Sequence, residues 1–240
     1  MDYFAGQVAE RYDATLGDRG DPVVVGATVD FLVELAREGA ALELGIGTGR
    51  IAVPLAAQGV RVHGIDLSPD MVAQLRAKPG GGEIPVTIGD FSSTRVGETF
   101  SLAYLVFNTI NNLTTQDAQA ACFENAAAHL EPGGCFVVEV GVPGLRSLPP
   151  GATLRAFDVS DTHVGVDEFD SATQRSASHH FTLIDGEWVR RSIPFRSTFP
   201  AELDLMARLA GMRLRERFAS FGGEPFTSES DRHVSVWEKP

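Results

Sequence analysis

Two hydrophobic periods alternate along the first 140 residues of the chain. Short, nearly continuous apolar runs indicate buried strands, and segments in which apolar residues recur every three or four positions indicate helices. The runs predict strands at 40–44, 60–66, 84–88, 101–107 and 135–140. The periodic segments predict helices at 23–37, 49–58 and 69–77, and one of about 15 residues that begins at Thr115. This alternation is typical of βα units with a parallel sheet.

The pattern changes after Gly141. Residues 141–198 alternate with a period of two, which predicts strands at 154–159, 164–166, 177–184 and 188–196, with Asp185-Gly186 as a hairpin turn. A helix is predicted at 200–210, and strands at 213–221 and 233–238. A loop without a helix joins these last two strands, so we expect them to be antiparallel.

Together these elements predict an α/β fold. We expect a seven-stranded, mostly parallel sheet with helices on both faces, an antiparallel last strand, and an antiparallel β insertion after the fifth strand. Phe4, Val8 and Tyr12 have helical spacing and predict a helix within residues 3–16. We therefore divide the chain into an N-terminal cap helix and loop (1–22), a core (23–140), the insertion (141–198) and a segment that completes the core sheet (199–240).

A glycine-rich turn follows the first strand. Gly45, Gly47 and Gly49 are spaced two apart, and glycines let a backbone turn sharply and approach a ligand closely. A dinucleotide site has the spacing G-x-G-x-x-G, which seats a pyrophosphate at a helix N-terminus. Here the spacing is G-x-G-x-G, which favours an adenosine-containing cofactor without a pyrophosphate.

Acidic residues accompany this turn. Glu43 comes two residues before Gly45, and Asp66 ends the next strand, where a carboxylate can accept hydrogen bonds from ribose hydroxyls. Gly89-Asp90-Phe91 follows the third strand. With these motifs the chain resembles the class I methyltransferases that use S-adenosyl-L-methionine (AdoMet), and the whole length resembles nucleotide-sugar N,N-dimethyltransferases and related actinobacterial small-molecule N-methyltransferases.

The resemblance implies a transfer of a methyl group from AdoMet to a nitrogen or oxygen of a small-molecule acceptor. It implies that Tyr12 reaches the methionine carboxylate, that Asp90 accepts from the adenine amino group and that Phe91 packs on the adenine ring. The full set of residues implied for the cofactor is Tyr12, Glu43, Gly45, Ile46, Gly47, Thr48, Gly49, Asp66, Leu67, Met71, Gly89, Asp90, Phe91 and Phe107. No metal is needed. The sugar enzymes have a second tyrosine after the cap helix, and residues 17–25 here contain none.

Candidate residues for the acceptor side follow the fourth strand and lie in the insertion. Asn108 and Asn111 offer donors and acceptors that can steer an amine or a hydroxyl, although asparagines in a loop often only form turns. His179 and His180 are adjacent on a predicted strand, so their side chains point to opposite faces and only one can face the site. Each can equally be a packed or surface histidine, so all four are catalytic candidates only.

Composition excludes some partners. The net charge is -12, and Lys78 and Lys239 are the only lysines, so a nucleic-acid interface is not expected. No apolar run is long enough to span a membrane, and there is no export leader. Cys122 and Cys135 lie in apolar contexts and indicate buried thiols of a reducing compartment, so we expect a cytoplasmic protein.

Two other functions remain open from the sequence. One is an NAD-dependent oxidoreductase, against which the glycine spacing and the antiparallel last strand argue. The other is an AdoMet-binding module without turnover, because this chemistry has no diagnostic catalytic residue. The apolar residues of the insertion also indicate a possible homodimer, in which one face of the insertion covers the acceptor and the other pairs with a second copy.

Overall fold

The computed structural model describes residues 3–144, 148–149 and 151–240. These residues form one seven-stranded sheet in the order β10-β11-β5-β4-β1-β2-β3 and a second sheet in the order β6-β7-β8-β9. In chain order the strands are β1 (Ala40–Leu44), β2 (Arg61–Asp66), β3 (Val86–Ile88), β4 (Phe100–Leu105), β5 (Leu130–Gly141), β6 (Leu154–Val159), β7 (His163–Phe169), β8 (Arg175–Ile184), β9 (Glu187–Arg196), β10 (Arg213–Phe218) and β11 (Arg232–Glu238).

The pairing within the large sheet confirms the predicted fold class. The first five strands, β1 to β5, pair with one another in parallel. β11 is antiparallel to both β5 and β10. The second sheet is an antiparallel meander and is the insertion predicted after the fifth strand; we call it the insertion sheet.

Both faces of the large sheet are covered by apolar side chains. Successive side chains of a strand point to opposite faces, so Leu42 belongs to one buried cluster and Ala41 to the other. The Leu42 cluster joins the sheet to α5 and α6, and the Ala41 cluster joins it to α2 and α3. The helices are α1 (Gln7–Arg11), α2 (Pro22–Ala36), α3 (Ala52–Ala57), α4 (Pro69–Ala77), α5 (Gln116–His129) and α6 (Pro200–Leu209).

Most predicted elements are present with shifted ends, and three differences are larger. The helix predicted within residues 3–16 is only α1, followed by 3-10 turns at Asp13–Thr15 and Gly17–Gly20. No helix joins β3 to β4, so the βα alternation is incomplete there. β5 begins five residues before its prediction, because Leu130 already pairs with Phe100. Within the described residues, no helix is long and apolar enough to cross a membrane.

A buried polar network attaches the end of the insertion sheet to the core. Arg196, at the end of β9, donates to Gln119 of α5 (2.5 Å), to Gln174 (2.9 Å) and to Glu202 of α6 (2.6 Å). The Gln119 amide donates in turn to the carbonyls of Ile110 (3.2 Å) and Arg196 (3.1 Å). We call this network of Arg196, Gln119, Gln174 and Glu202 the Arg196 seam. Because its polar groups pair with one another, the seam holds the insertion sheet against the core without leaving a buried charge unpaired.

Removal of the Arg196 guanidinium should therefore destabilise the protein. Arg196→Met removes the only cation that pairs with Glu202 among the described residues, at a site where Arg196 is only 5% exposed; Glu202 and Gln119 keep neutral donors. Loss of one partner of a buried ion pair costs about 3 kcal/mol or more, and urea unfolding measures the change. Arg213→Met is the matched control, because the side chain that binds Glu238 is 69% exposed and should cost less than about 1 kcal/mol. Equal losses for both variants would contradict a structural role of the seam.

Candidate functional site

The glycine loop, residues 45–49, leaves the carboxyl end of β1 and leads into α3. Gly45, Gly47 and Gly49 have φ angles of 75°, 53° and 74°, which residues with a Cβ rarely adopt. A Cβ on Gly45 would lie 2.7 Å from the Thr109 side chain, and one on Gly49 would lie 2.8 Å from that of Leu75. A Cβ on Gly47 would meet only Met71, at 3.3 Å, so at this position the backbone is open to a ligand.

Asp66 closes the loop from the neighbouring strand. One carboxylate oxygen accepts from the Gly47 N–H at 2.7 Å, and the other accepts from the Ser68 N–H at 2.8 Å. A carboxylate oxygen has more than one acceptor site, so these bonds leave capacity for ribose hydroxyls. The carboxylate thus fixes the glycine loop and presents acceptor atoms at the edge of the sheet.

The other residues predicted around the glycine loop differ in burial. Ile46 is buried and packs against Gly64 of β2, so its side chain belongs to the core. Thr48 is also buried, and its hydroxyl donates to Asp13 at 2.6 Å. Leu67, next to Asp66, is 53% exposed, whereas Met71 is buried below Gly47.

Glu43 lies inside the layer between the sheet and the helices. Its carboxylate accepts from the Tyr104 hydroxyl at 2.8 Å and from the Ala52 N–H at the start of α3. Burial raises the pKa of this carboxyl to about 8, although the hydrogen bonds and Arg50 oppose the shift. The side chain therefore supports the end of β1 and the start of α3 from below.

Gly89, Asp90 and Phe91 form a turn after β3. Asp90 accepts from both the N–H and the hydroxyl of Ser92, at 2.8 and 2.7 Å. A Cβ on Gly89 would lie 2.2 Å from the Thr94 hydroxyl, so packing within the turn requires this glycine. The Phe91 ring is buried next to Gly45 and faces the glycine loop.

The N-terminal segment, residues 3–20, lies over the glycine loop, and we call it the cap. Asp13 accepts from Thr48 and also pairs with Lys78 at 2.6 Å. Arg50, directly after the glycine loop, donates to the Arg19 carbonyl at 2.8 Å. These polar contacts attach the cap over the carboxyl ends of β1 and β2.

Arginine and aromatic side chains meet where the cap contacts Phe107. The Arg19 and Arg50 guanidinium groups lie 4.4 and 4.9 Å from the centroid of the Phe107 ring, and Tyr12 packs edge-on against it at 6.4 Å. Burial raises the pKa of Tyr12 to about 12, so the hydroxyl stays neutral and can donate. Sequence reasoning missed both arginines; the position of Arg50 next to Gly49 was the available signal.

The turn after β4 has an unusual backbone. Phe107 and Asn108 have φ angles of 67° and 58°. Glu139 of β5 accepts from the Phe107 N–H at 2.5 Å, and the Asn108 side-chain oxygen accepts from the Gly141 N–H at 2.6 Å. Asn108 therefore fixes the turn, and its side-chain oxygen is engaged with the backbone.

A cavity of about 260 Å³ lies between this turn and the insertion sheet. We call it the acceptor cavity; Asn108, Asn111, Arg155, Asp167, Ser176 and Phe195 are among the residues that line it. The side-chain oxygen of Asn111 is buried and has no hydrogen-bond partner among the residues that the structure describes. Because an unpaired buried acceptor is unfavourable, this oxygen is available for a donor that enters the cavity.

The two histidines of β8 face opposite ways, as expected for neighbours in a strand. His179 contacts Ser192, Glu168 and Arg190. His180 contacts His163 and Ser178, on the same face of the strand as Ser176, which lines the acceptor cavity. Neither histidine lines the cavity. More of its lining residues share the His180 face (Asp167, Ser176 and Phe195) than the His179 face (Ala177 and Glu168), so His180 is the histidine of this pair on the cavity side.

The geometry fits an adenosine cofactor without a metal. Backbone that a Cβ would obstruct, a carboxylate on the next strand and a buried aromatic ring converge at one sheet edge. The described residues contain no group of three His, Cys, Asp or Glu side chains that could hold a metal ion.

Comparisons with known proteins agree with this geometry. A model of the methyltransferase domain family matches residues 41–134. The cypemycin N-terminal methyltransferase of a Streptomyces species is 28% identical over 205 residues, or 82% of each protein. The dTDP-4-amino-2,3,4,6-tetradeoxy-D-glucose N,N-dimethyltransferase of Saccharopolyspora spinosa is 32% identical over 135 residues, 55% of this chain and 53% of that protein.

A solved structure matches along the whole length. The CcbJ methyltransferase from Streptomyces caelestis has a TM-score of 0.86 and 38% identity, and the match covers 100% of this chain and 99% of that chain. These matches give no support to the NAD-dependent oxidoreductase considered above. The predicted resemblance and cofactor are confirmed: the chain belongs to the AdoMet-dependent methyltransferases and is an enzyme that takes its methyl group from AdoMet.

Proposed function

We propose that this enzyme methylates a nitrogen of a small-molecule amine held in the acceptor cavity. The observation that carries the proposal is the buried side-chain oxygen of Asn111, which has no hydrogen-bond partner within the described part of the chain and belongs to a residue that lines the acceptor cavity. An amine N–H is a donor that this oxygen can accept from, and the bond would orient the nitrogen. Two relatives, an N-terminal methyltransferase and an N,N-dimethyltransferase of an amino-substituted dTDP-glucose, also favour nitrogen.

The cofactor has a proposed position along the carboxyl ends of β1, β2 and β3. Asp66 accepts from the ribose hydroxyls, the glycine loop lies against the nucleoside, and Phe91 packs on the adenine with Asp90 at its edge. Arg19, Arg50 and Tyr12 surround the methionine carboxylate. The support for this last step is charge, because two guanidinium groups and a neutral hydroxyl meet under the cap.

The residues of the chain need to align, enclose and deprotonate the acceptor. When bound, AdoMet supplies a sulfonium whose methyl group is already activated, so no covalent enzyme residue is required. The closed cap and Phe107 exclude water, and the Asn111 oxygen directs the acceptor nitrogen. An amine must also lose a proton before it can attack, which requires a group on the cavity side.

We further propose a homodimer formed through the insertion sheet, and a cytoplasmic location. The dimer is supported by large apolar side chains on the two edge strands: Leu154, Phe157, Val159, Trp188 and Val189 are between 46% and 74% exposed. Monomers rarely expose so many apolar groups on one small sheet. The location is supported by Cys122 and Cys135, which are buried free thiols.

Asp66→Ala should weaken binding of S-adenosylhomocysteine (AdoHcy), the demethylated cofactor. Loss of charge-assisted hydrogen bonds to the ribose costs about 2 to 3 kcal/mol, and isothermal titration measures it. Asp66→Asn keeps one acceptor oxygen and should lose less. Asp30→Asn, on the exposed face of α2, is the control. If Asp66→Ala bound AdoHcy like the control, the ribose assignment would be wrong.

Asn111→Ala should impair the acceptor and leave the cofactor unaffected. Two probes suit the relatives: dTDP-4-amino-2,3,4,6-tetradeoxy-D-glucose and a peptide with a free α-amino group. AdoHcy production and a mass increase of one methyl group report turnover. For the probe that reacts, kcat/KM should fall about 10-fold or more, since a lost hydrogen bond of 1.4 kcal/mol is a factor of ten.

The matched control is Asn112→Ala, because Asn112 lies next to Asn111 in the 3-10 turn Thr109–Asn112. An equal loss of kcat/KM in both variants, or a weaker AdoHcy affinity for Asn111→Ala, would contradict the assignment of Asn111 to the acceptor. A wild-type enzyme that binds AdoHcy but methylates only hydroxyl acceptors in a phenol panel would contradict the choice of nitrogen.

The dimer is tested by mass. Light scattering at micromolar concentration should give about twice the chain mass of 25.7 kDa. Trp188→Asp introduces a charge at an exposed apolar edge and should produce monomers, because burial of an unpaired charge at an interface is costly. Glu187→Asp is the conservative neighbouring control. A wild-type mass equal to one chain would refute the dimer.

A further inference from the structure

Four polar side chains on the face of the insertion sheet that carries His180 form a continuous hydrogen-bonded chain. The Ser178 hydroxyl lies 3.3 Å from His180 Nε2, and His180 Nδ1 lies 3.1 Å from His163 Nε2. His163 Nδ1 lies 2.5 Å from the Asp158 carboxylate. These contacts connect β8, β7 and β6 in one direction across the sheet.

With both rings neutral, one assignment of protons satisfies every contact. Asp158 as a carboxylate can only accept, so His163 carries its proton on Nδ1 and accepts at Nε2. His180 then donates from Nδ1 and accepts the Ser178 hydroxyl at Nε2. Every donor in the chain points away from Ser178 and toward Asp158, which is the arrangement needed to move a proton in that direction.

The two ends of this hydrogen-bonded chain lie in different surroundings. Ser178 is 7% exposed, and its neighbours Ala177 and Ser176, together with Asp167 paired to it on β7, line the acceptor cavity. The Asp158 side chain is 48% exposed. The chain therefore leads from the buried side of the insertion sheet to solvent.

An aromatic ring shields the middle of the chain. The Phe157 ring lies 5.5 Å from the His180 ring and 6.5 Å from the His163 ring. A Cβ on Gly165 would come within 2.3 Å of the Phe157 ring, so this glycine allows the ring to lie against the sheet. The two imidazoles thus exchange hydrogen bonds with each other under an apolar cover.

We propose that Ser178, His180, His163 and Asp158 form a proton relay that carries the acceptor's ammonium proton from the acceptor cavity to solvent. The inference rests on the proposed function, since it requires an amine in that cavity. An aliphatic ammonium has a pKa of about 10, so at neutral pH the acceptor arrives protonated and its nitrogen lone pair is unavailable.

The transfer balances at each position. The ammonium N–H bond breaks, its proton passes to the Ser178 oxygen, and the Ser178 hydroxyl proton passes to His180 Nε2. The Nδ1 proton of His180 moves to His163 Nε2, and the Nδ1 proton of His163 moves to Asp158 and from there to water. The free amine keeps the lone pair for methylation. The transfer leaves both rings protonated on Nε2, and each ring gives that proton to water and takes one from water on Nδ1 before the next turnover.

The charges around His180 keep it neutral and ready to accept. Burial lowers its pKa, and His163, Arg191 on β9 and His179 on the same strand lower it further, whereas Asp167 on β7 opposes them. Arg191 also donates to the Tyr3 carbonyl of the cap at 2.5 Å, so the relay adjoins the closed cap.

The test compares His180→Gln and His163→Gln with His179→Gln in the full-length enzyme. Glutamine forms hydrogen bonds but cannot pass a proton along. His179 is the matched control, because it is on the same strand and faces away from the relay. With whichever of the two amine probes reacts, kcat/KM should fall about 10-fold or more at pH 7 in the two relay variants. AdoHcy affinity should stay unchanged.

The pH profile separates a relay from a structural role. Above the pKa of the amine probe, about 8 for a peptide α-amino group and about 10 for an alkyl amine, most of the acceptor is already a free amine, so the relay variants should approach the wild-type rate. Added imidazole should restore part of the loss at pH 7. A pH-independent loss, or His179→Gln matching His180→Gln, would overturn the relay.

A second readout does not depend on turnover. In uniformly 15N-labelled enzyme at pH 7.5, NMR should find His163 and His180 neutral and both protonated on Nδ1. Protonation on Nε2 in both rings would overturn the relay even if the amine probes react. If neither probe reacts while both rings are Nδ1-protonated, the choice of acceptor fails and the relay chain stands.

Discussion

The order of the strands around β1 is the constraint on which the site depends. β1 lies between β2 and β4. The chain continues from β1 to β2 and β3 on one side and then returns to β4 on the other side, and this change of direction opens a crevice at the carboxyl ends of the strands. The glycine loop, Asp66 and the turn at Phe107 and Asn108 all border this crevice. The strand order decides where a ligand can bind, and the positive φ angles of the glycine loop decide how closely the backbone can approach it.

The opposite wall of the crevice depends on strain held in place by polar contacts. Phe107 and Asn108 adopt a left-handed backbone that costs a residue with a Cβ about 1 kcal/mol or more. β5 opposes this cost by accepting from the Phe107 N–H and donating to the Asn108 side chain. The Gln119 amide donates hydrogen bonds to the Ile110 carbonyl and to the Arg196 carbonyl at the end of β9. A single buried side chain therefore connects the segment after β4 to the insertion sheet.

Local signals in the sequence predicted the fold and the cofactor edge, because hydrophobic period and glycine spacing are properties of neighbouring residues. The positions of Arg19 and Arg50 around Phe107 were not predictable, since they depend on how the cap folds over a distant loop. Glu43 illustrates another limit. Both faces of this sheet are covered, so strand alternation could not show that its side chain lies inside a layer. For His179 and His180 the sequence predicted opposite faces, and only the meander identified the cavity side.

Donor and acceptor sides of the site are built by different means. The donor side is backbone geometry with one carboxylate, and the family model covers it within residues 41–134. The proposed acceptor side consists of side chains on an antiparallel sheet that is joined to the core by the Arg196 seam. Substitutions on the inner face of β7, β8 and β9 leave the glycine loop and Asp66 untouched, because those residues belong to another sheet. A core of this kind can therefore keep its methyl donor while its acceptor changes, provided that the seam continues to hold the end of β9 against α5 and α6.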